Sequence, residues 1–290
     1  MTDLSGKNAI ISGASHGLGA WIAGKFWSLG ANLLLVSRNE QALQETVNRL
    51  EPRSGQKIVL LEADLAELAN IDKIIDLAKK EFSGLDILIN NAAVQGPIGP
   101  SWQNDWQDWQ TALTIDLLAP VAFCRAAAAM MTAQKSGKII CISGGGATNA
   151  RPNFSAYSVA KTGLVRFCEV LASELLPYNV QVNCIAPGAM PTDMLRQVVK
   201  AGPEAAGQKE FSSAETAMQK DNTVFEKASS LAAFLASSKS NGITGRLISA
   251  VWDPWESLAD HADELASSDL YTLRRIVPID RGLDWDQNEK

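Results

Sequence analysis

The sequence predicts an α/β fold, a single domain built on a doubly wound, seven-stranded parallel sheet. Short apolar runs alternate with stretches of helical periodicity over most of the 290 residues, the order expected when helices cover both faces of a parallel sheet. Two runs, Leu33-Leu-Leu-Val36 and Ile139-Ile-Cys-Ile142, are continuously apolar, as strands buried on both faces must be. We find no internal repeat and no low-complexity linker, so one domain is expected.

Seven segments are predicted as strands from their apolar and β-branched character: residues 8–13, 32–37, 57–62, 86–90, 137–143, 180–185 and 246–250. Helices are predicted between them from apolar residues spaced three and four apart, and these include residues 18–29, 42–50, 68–82, 105–133 and 155–176. The carboxyl ends of parallel strands share one edge of the sheet, so the residues that follow each strand are expected to form the ligand site.

Composition limits the function. Hydrophobic residues make up 46% and charged residues 20%, with a formal net charge of −6, which disfavours nucleic acid or an anionic membrane as a partner. No signal-peptide pattern opens the sequence and no uninterrupted apolar run reaches membrane-spanning length, so we expect a soluble, cytoplasmic protein. The 4 cysteines form no C-x-x-C pair and there are only 2 histidines, so no catalytic metal is expected.

A glycine-rich turn joins the first predicted strand to the first helix. It reads Gly13-Ala-Ser-His-Gly17-Leu-Gly19. Glycines at this point allow a tight turn and a close approach of the backbone to a pyrophosphate, and the following helix presents its free N–H groups to the phosphates. A strand, a glycine-rich turn and a helix in this order predict a dinucleotide site.

Tyr157 and Lys161 are spaced four residues apart in the predicted helix 155–176, so their side chains lie on one helix face. An ammonium group beside a phenol favours the phenolate and so prepares the Tyr for proton transfer. The spacing alone is common in amphipathic helices with a solvated Lys. It becomes informative because it follows the glycine-rich turn in the same α/β pattern.

Further short motifs follow the predicted strands in order: Asp64-Leu65, Asn90-Asn91-Ala92-Ala93, and Pro187-Gly188 with Thr192. Together with the turn and the Tyr157–Lys161 pair, they resemble the short, non-extended branch of the short-chain dehydrogenase/reductase family over residues 4 to about 250. The resemblance implies a Rossmann-type fold with a nicotinamide cofactor. The expected cofactor-binding residues are Gly13, Ser15, His16, Gly17, Leu18, Gly19, Ser37, Arg38, Asp64, Leu65, Asn91, Ala92, Tyr157, Lys161, Pro187, Gly188 and Thr192.

The residues at the end of the second strand predict the choice of cofactor. A fold that selects NAD usually places a carboxylate here for the ribose 2′-hydroxyl, whereas this chain has Ser37-Arg38. A hydroxyl followed by a guanidinium favours a 2′-phosphate, so NADP(H) is expected. Arg38 as a solvated strand-end residue is the alternative. His16 is either a further donor to this phosphate or a plain turn residue.

The resemblance also implies a catalytic set. Tyr157 donates a proton to a carbonyl, Lys161 binds the nicotinamide ribose and lowers the Tyr pKa, and a Ser polarises the carbonyl. The expected Ser is Ser143, but the family usually spaces Ser and Tyr one residue closer, which places Gly144 at that position. Either a loop bulge restores Ser143, or the amides of three successive glycines replace the hydroxyl.

An Asn on the preceding long helix completes a water-linked proton relay in the family. This chain has Asp116 at that position. The Asp charge is expected to pair with Lys161 and oppose the lowering of the Tyr157 pKa, which shifts the pH profile to alkaline values. The alternative is that Asp116 is a buried residue at a helix kink.

Two segments depart from the regular pattern. Residues 191–223 are expected to form a mobile lid, or else a variable pair of surface helices, and residues 251–290 an extension that packs on domain 1–250 or on a partner subunit. Trp102, Trp106 and Trp109 share one helix face and indicate core or subunit packing rather than a substrate wall. Arg274 and Arg275 are expected in salt bridges rather than at a substrate anion.

These observations predict an NADPH-dependent oxidoreductase that interconverts a ketone and a secondary alcohol. A homodimer or homotetramer is expected, because the alanine run 126–129 and the helix after Tyr157 resemble the family's dimer face. A 3-oxoacyl-carrier-protein reductase is the enzymatic alternative. A dinucleotide-binding sensor or structural protein without turnover is the alternative from another class.

Overall fold

The computed structural model describes residues 2–285. Its centre is one parallel sheet of seven strands in the order β3-β2-β1-β4-β5-β6-β7. The doubly wound α/β prediction is therefore confirmed, and all seven predicted strands are present with each end within one residue of the prediction. The strands are β1 Asn8–Ser12, β2 Asn32–Ser37, β3 Ile58–Glu62, β4 Ile87–Asn90, β5 Gly137–Ile142, β6 Val180–Ala186 and β7 Leu247–Ser249.

Helices connect the strands and cover both faces of the sheet. Within residues 2–285 they are α1 Gly17–Ser28, α2 Glu40–Val47, α3 Asn70–Glu81, α4 Trp106–Leu113, α5 Ala119–Gln134, α6 Ser155–Leu175, α7 Asp193–Ala206, α8 Gln208–Met218, α9 Thr223–Ala236 and α10 Ala262–Ala266. The chain winds from β1 outward to β3 and then, from β4, outward to β7. This reversal between β1 and β4 creates the crevice in which ligands bind in such sheets.

The strands are apolar on both faces because each face is covered by helices. In β1 and β2, Ile11 and Leu33 belong to one buried cluster with residues of α1 and α9. Their neighbours Ile10 and Leu34 belong to the opposite cluster, with residues of α3, α5 and α6. Alternate residues of a strand point to opposite faces, which explains why these strands read as continuous apolar runs.

The helix predicted over residues 105–133 is interrupted. A π-helical turn, Thr114–Leu118, separates α4 from α5. Pro120 follows as the second residue of α5 and has no N–H for the carbonyl of Asp116, four residues earlier, so a regular α-helix is excluded here. Such single π turns often occur at functional sites.

By length and composition alone, the continuous helical stretch Trp106–Gln134 could cross a membrane. Here it packs in the domain, with Phe123 and Met131 buried in the cluster that contains Ile139 of β5. A core helix of an α/β domain passes the same test of hydropathy.

The segment predicted as a lid contains α7 and α8. Gly202 and Gly207 have φ angles of +76° and +83°, which glycine adopts without strain, and they bend the chain inside α7 and between the two helices. Val198, Ala206 and Ala214 form a small buried cluster with Phe154 from the loop before α6. α7 and α8 therefore pack against the loop that leads to Tyr157.

The chain after β7 lies along the edge of the sheet. Arg246 is 9% exposed and its guanidinium donates to the carbonyls of Leu265, Ser268 and Leu270. The two outward-facing amides of β7 are also taken by this extension: Leu247 N donates to the Tyr271 carbonyl, and Ser249 N to Asp253 Oδ2. Residues 286–290 of the predicted extension lie outside the described part of the chain.

The structure bears on two side-chain expectations, one for the tryptophans and one for Arg274. Trp102 and Trp106 are 84% and 65% exposed, so neither packs in the core of this chain. Trp106 stacks on Trp109 with the ring centroids 5.2 Å apart. In the extension, Arg274 pairs with Asp269 and Asp280, as expected.

Candidate active site

A cavity of about 1100 Å³ opens along the carboxyl edge of the sheet, from the turn after β1 to α7 and α8. All the site residues expected from the sequence line it except Gly19 and Asp116. The residues that it brings together are Gly13, Ser15, His16, Gly17, Leu18, Ser37, Arg38, Asp64, Leu65, Asn91, Ala92, Ser143, Tyr157, Lys161, Pro187, Gly188 and Thr192.

The glycine-rich turn is packed so tightly that side chains are excluded. A Cβ on Gly13 would lie 2.8 Å from Ala92 Cα, and a Cβ on Gly19 would lie 2.1 Å from the Gly13 carbonyl oxygen. Asn91 fixes the turn by donating through Nδ2 to the carbonyls of Ser12 and Gly13. Gly19 therefore acts through packing, and the turn leaves the start of α1 facing the cavity, where N–H groups suit phosphate.

The far end of the cavity contains Ser37 and Arg38. The Ser37 hydroxyl donates to the Asn39 carbonyl and accepts from the Asn39 amide, so it orders the loop after β2. Arg38 is exposed and makes no hydrogen bond or ion pair with residues 2–285. Its guanidinium is free to bind an anion, and the carboxylate expected for NAD does not follow β2.

Lys161 is buried in the site, with 2% of its surface exposed. Its ammonium group donates to the Ile142 carbonyl at the end of β5 (3.1 Å) and lies 3.7 Å from Asp116 Oδ2. It is 5.5 Å from the centre of the Tyr157 ring. One turn of α6 thus places the phenol and the ammonium together at the end of β5.

The pKa of Tyr157 lies above its ordinary value. Burial raises it, the charge of Lys161 opposes this, and the charge of Asp116 raises it further. Lys161 thus acts on the Tyr157 pKa in the direction that the family resemblance implied, and Asp116 opposes it. Burial lowers the pKa of Lys161, but the charges of Asp116 and Tyr157 outweigh this and the net shift is upward.

Asp116 lies beneath the cavity in the π turn and is fully buried. Its Oδ1 accepts from the Val94 amide at 2.8 Å, while Oδ2 faces Lys161 and makes no hydrogen bond. Burial raises the Asp116 pKa to about 6, although Lys161 and the Val94 amide pull it down. Asp116 is therefore both the residue at the helix break and a charge that acts on the Tyr157–Lys161 pair.

The loop after β5 brings glycine, rather than a side chain, against the phenol. A Cβ on Gly144 would lie 2.1 Å from the Tyr157 hydroxyl oxygen. The Ser143 hydroxyl is buried in the same lining and has no hydrogen-bond partner. A buried hydroxyl without a partner is unusual, so Ser143 remains the predicted polarising residue, with the Gly144–Gly146 amides as the alternative.

The lining also includes polar and aromatic residues that were not expected from the sequence, among them Gln95, Arg151, Glu210 and Trp252. Arg151 bonds to Glu210 of α8 through Nε (2.8 Å) and lies over the Phe154 ring at 3.8 Å. Gln95 follows the Asn-Asn-Ala-Ala motif by two residues, so its position at a strand end was the one available signal. Arg151 and Glu210 lie in polar segments whose contact depends on tertiary structure.

Replacing Gly144 by Ala is expected to lower turnover by about 100-fold, the usual cost of displacing a reacting group by about 1 Å. The added methyl group would collide with the Tyr157 hydroxyl. The matched control is Gly145→Ala, because a Cβ on Gly145 meets nothing within 4 Å. Steady-state rates of both variants, with circular dichroism to verify folding, make the comparison. Equal rates would contradict the close packing of Gly144 on the phenol.

Replacing Asp116 by Asn is expected to move the pH profile of alcohol oxidation to lower pH. In the reaction that the family resemblance implies, oxidation requires Tyr157 as a phenolate, and the Asp116 charge raises the Tyr157 pKa. Because the Asp116 pKa is about 6, this carboxyl is charged above that pH and neutral below it. The profiles should therefore separate only on the neutral and alkaline side, where rates of nicotinamide reduction are measured.

The control for this measurement is Asp86→Asn. Asp86 pairs with Lys7 at 2.8 Å and does not line the cavity, so its removal should leave the profile unchanged. Superimposable profiles of Asp116→Asn and the unmodified protein would show that the Asp116 charge does not act on Tyr157.

Comparison with known proteins supports the geometry. The family whose sequence pattern matches residues 13–250 is described as enoyl-(acyl carrier protein) reductase. A 3beta-hydroxysteroid dehydrogenase 1 from Eggerthella lenta is 33% identical over 205 residues, which cover 70% of this chain and 77% of that protein. Dehydrogenase/reductase SDR family member 4 from Homo sapiens is 29% identical over 245 residues, 84% and 86% of the two chains.

Solved structures show the same architecture with either coenzyme. YwfH, described as an NADPH-dependent reductase involved in bacilysin biosynthesis, is similar with a TM-score of 0.74 at 26% identity, covering 85% of this chain and 97% of that one. NAD⁺-bound xylitol dehydrogenase is similar with a TM-score of 0.74 at 25% identity, covering 85% and 98%. With the family pattern matched over most of the chain, the protein belongs to the short-chain dehydrogenase/reductase family and is an oxidoreductase.

Proposed function

We propose that the protein is an NADPH-dependent oxidoreductase that transfers hydride between nicotinamide and a ketone or secondary alcohol. The observation that carries the proposal is that the Tyr157–Lys161 pair and the glycine-rich turn line one cavity. A phosphate-binding turn and a proton donor in a shared cavity fit a reaction in which hydride and proton are added to the same carbonyl.

The residues of the cavity fit NADP(H). The turn 13–19 would receive the pyrophosphate, and Arg38, with no protein partner in the described chain, would receive the 2′-phosphate by charge-assisted hydrogen bonds. His16 occupies the N-cap position of α1 next to this turn and lines the cavity, where it adds a polar group. Pro187, Gly188 and Thr192 line the cavity after β6 and would hold the nicotinamide end.

In this proposal the bound cofactor supplies or accepts the hydride, and the protein manages the proton. Tyr157 gives its hydroxyl proton to the carbonyl oxygen during reduction and removes it during oxidation. Lys161, fixed by the Ile142 carbonyl, stabilises the phenolate that forms. The buried hydroxyl of Ser143 is the donor available to the carbonyl oxygen, as an oxyanion-hole group would be.

Self-association and a cytoplasmic location also belong to the proposal. Val159 and Val170 on α6 are each 48% exposed, and Leu118 before α5 is 47% exposed. Partly exposed apolar side chains on neighbouring helices favour burial against a second copy of the chain. A homodimer or homotetramer would cover this face.

The function is tested by mixing the protein with NADPH and a panel of small ketones while the loss of nicotinamide absorbance is followed. Steady turnover is expected, and Tyr157→Phe should reduce it by about 100-fold or more, the usual contribution of a positioned proton donor. Tyr178→Phe is the matched control, since Tyr178 is exposed at the surface. NADPH binding without turnover on any ketone would instead support the non-catalytic alternative.

Replacing Arg38 by Ala tests the cofactor. We expect kcat/KM for NADPH to fall by about 10- to 100-fold, as for the loss of one charge-assisted contact, while the value for NADH stays unchanged. Arg49→Ala is the control, because Arg49 is in the turn after α2 and outside the cavity lining. An equal effect on both cofactors would show that Arg38 does not contact the 2′-phosphate.

A further inference from the structure

Arg151 is held in the cavity in a way that leaves its anion-binding end unused. Its Nε donates to Glu210 Oε2 at 2.8 Å, and its guanidinium carbon lies 3.8 Å from the centre of the Phe154 ring. The side chain is 14% exposed and lines the cavity. Within residues 2–285, neither terminal nitrogen of this guanidinium has a hydrogen-bond partner.

The position of Arg151 relative to the proton donor is fixed as well. Its guanidinium carbon lies 5.8 Å from the centre of the Tyr157 ring, and its charge pulls the pKa of Tyr157 down against the effect of burial. A substrate whose carbonyl reaches the Tyr157 hydroxyl therefore lies close to Arg151.

A second, independent group in the cavity also lacks a partner. Gln95 is 3% exposed and lines the cavity, and its amide nitrogen is buried without a hydrogen bond. A buried N–H donor left without an acceptor is costly, and a ligand that brings acceptor oxygens would remove the cost. Arg151 and Gln95 are thus two hydrogen-bond donors with unused N–H groups in the lining of the same cavity.

The carboxylates of the cavity lining do not accept hydrogen bonds from these free donors. Glu210 already binds Arg151 Nε, Asp193 pairs with Arg196, and the Asp64 oxygen Oδ1 accepts from the Ala66 amide. The two terminal nitrogens of a guanidinium present parallel N–H groups that match the two oxygens of a carboxylate.

From this arrangement we propose that Arg151 binds a carboxylate of the substrate, and that the substrate is an oxo acid or the corresponding hydroxy acid. Glu210 is a positioning residue that orients the guanidinium, and Gln95 donates to the same substrate. The inference rests on the proposed function, because it assigns the substrate class of that cavity. The contact of Arg151 with Glu210 of α8 uses Nε alone, so a purely structural role would not need the two terminal nitrogens.

The test compares straight-chain 2-, 3- and 4-oxo acids with their methyl esters as substrates, under saturating NADPH or NADH, whichever binds more tightly. The esters keep the carbonyl and the carbon chain but lack the charge. The unmodified protein should prefer acids to esters. Arg151→Gln should lower kcat/KM for the acids by about 100-fold, the usual effect of truncating one partner of a desolvated charge pair. The esters should lose much less, because for them only the effect of the Arg151 charge on the Tyr157 pKa is removed.

Two matched variants distinguish substrate binding by Arg151 from a purely structural role of its contact with α8. Glu210→Gln removes the negative charge that contacts Arg151 but leaves the positive charge of Arg151, so the preference for acids should persist. Arg196→Gln removes an exposed arginine of α7 that pairs with Asp193 and does not line the cavity, so both substrate series should be unaffected. If Arg151→Gln and Glu210→Gln impair acids and esters equally, the arginine only fastens α8 and the proposal is wrong.

A binding measurement keeps the proposal independent of turnover. Pentanoate has a carboxylate but no carbonyl to reduce, and its binding to the cofactor-loaded protein is measured by calorimetry. We expect Arg151→Gln to weaken pentanoate binding by at least about tenfold relative to the unmodified protein. Equal binding by both proteins, or none by either, would overturn the carboxylate site. Turnover of neutral ketones alone would leave the oxidoreductase proposal intact while excluding the acid substrate.

Discussion

The site depends on the contacts of one buried charge, the ammonium group of Lys161. It joins the end of β5, through the Ile142 carbonyl, to the π turn before α5, through Asp116. Asp116 in turn holds the Val94 amide after β4. A charge this deeply buried is tolerated only with close partners of opposite polarity, so three segments of the domain are arranged around one nitrogen atom.

The same burial explains how the catalytic pair is tuned. Removing Tyr157, Lys161 and Asp116 from water disfavours the charged form of each group. For Lys161 the charges of Asp116 and Tyr157 outweigh this effect on the pKa, whereas for Tyr157 and Asp116 the charge of Lys161 compensates only partly. Lys161 remains charged because Asp116 faces it, and Asp116 shares that stabilisation while its own pKa rises to about 6. The position that the family fills with a neutral amide is here a third titratable group, so proton transfer at Tyr157 is linked to a carboxyl that it never touches.

Much of the fold and part of the site could be predicted from local sequence. Continuous apolar runs identify β2 and β5 because both faces of these strands are covered, and the glycines of turn 13–19 predict a close approach that the packing of Gly13 against Ala92 explains. The long helix was predicted as continuous over residues 105–133, with a kink at Asp116 only as an alternative, although Pro120 was a signal for the break. Arg151 and Glu210 are far apart in the chain, and only tertiary packing brings them into contact, so no local pattern predicts them.

The extension after β7 has a consequence for the protein in concentrated solution. Parallel sheets end in edge strands whose free amides can recruit strands from other chains. Here the strand at one end is only three residues long, Leu247–Ser249, and its two outward amides already bond to Tyr271 and Asp253. The arginine beneath it, Arg246, anchors the covering segment. This border of the sheet is thus sealed by the chain's own backbone and protected against edge-to-edge aggregation.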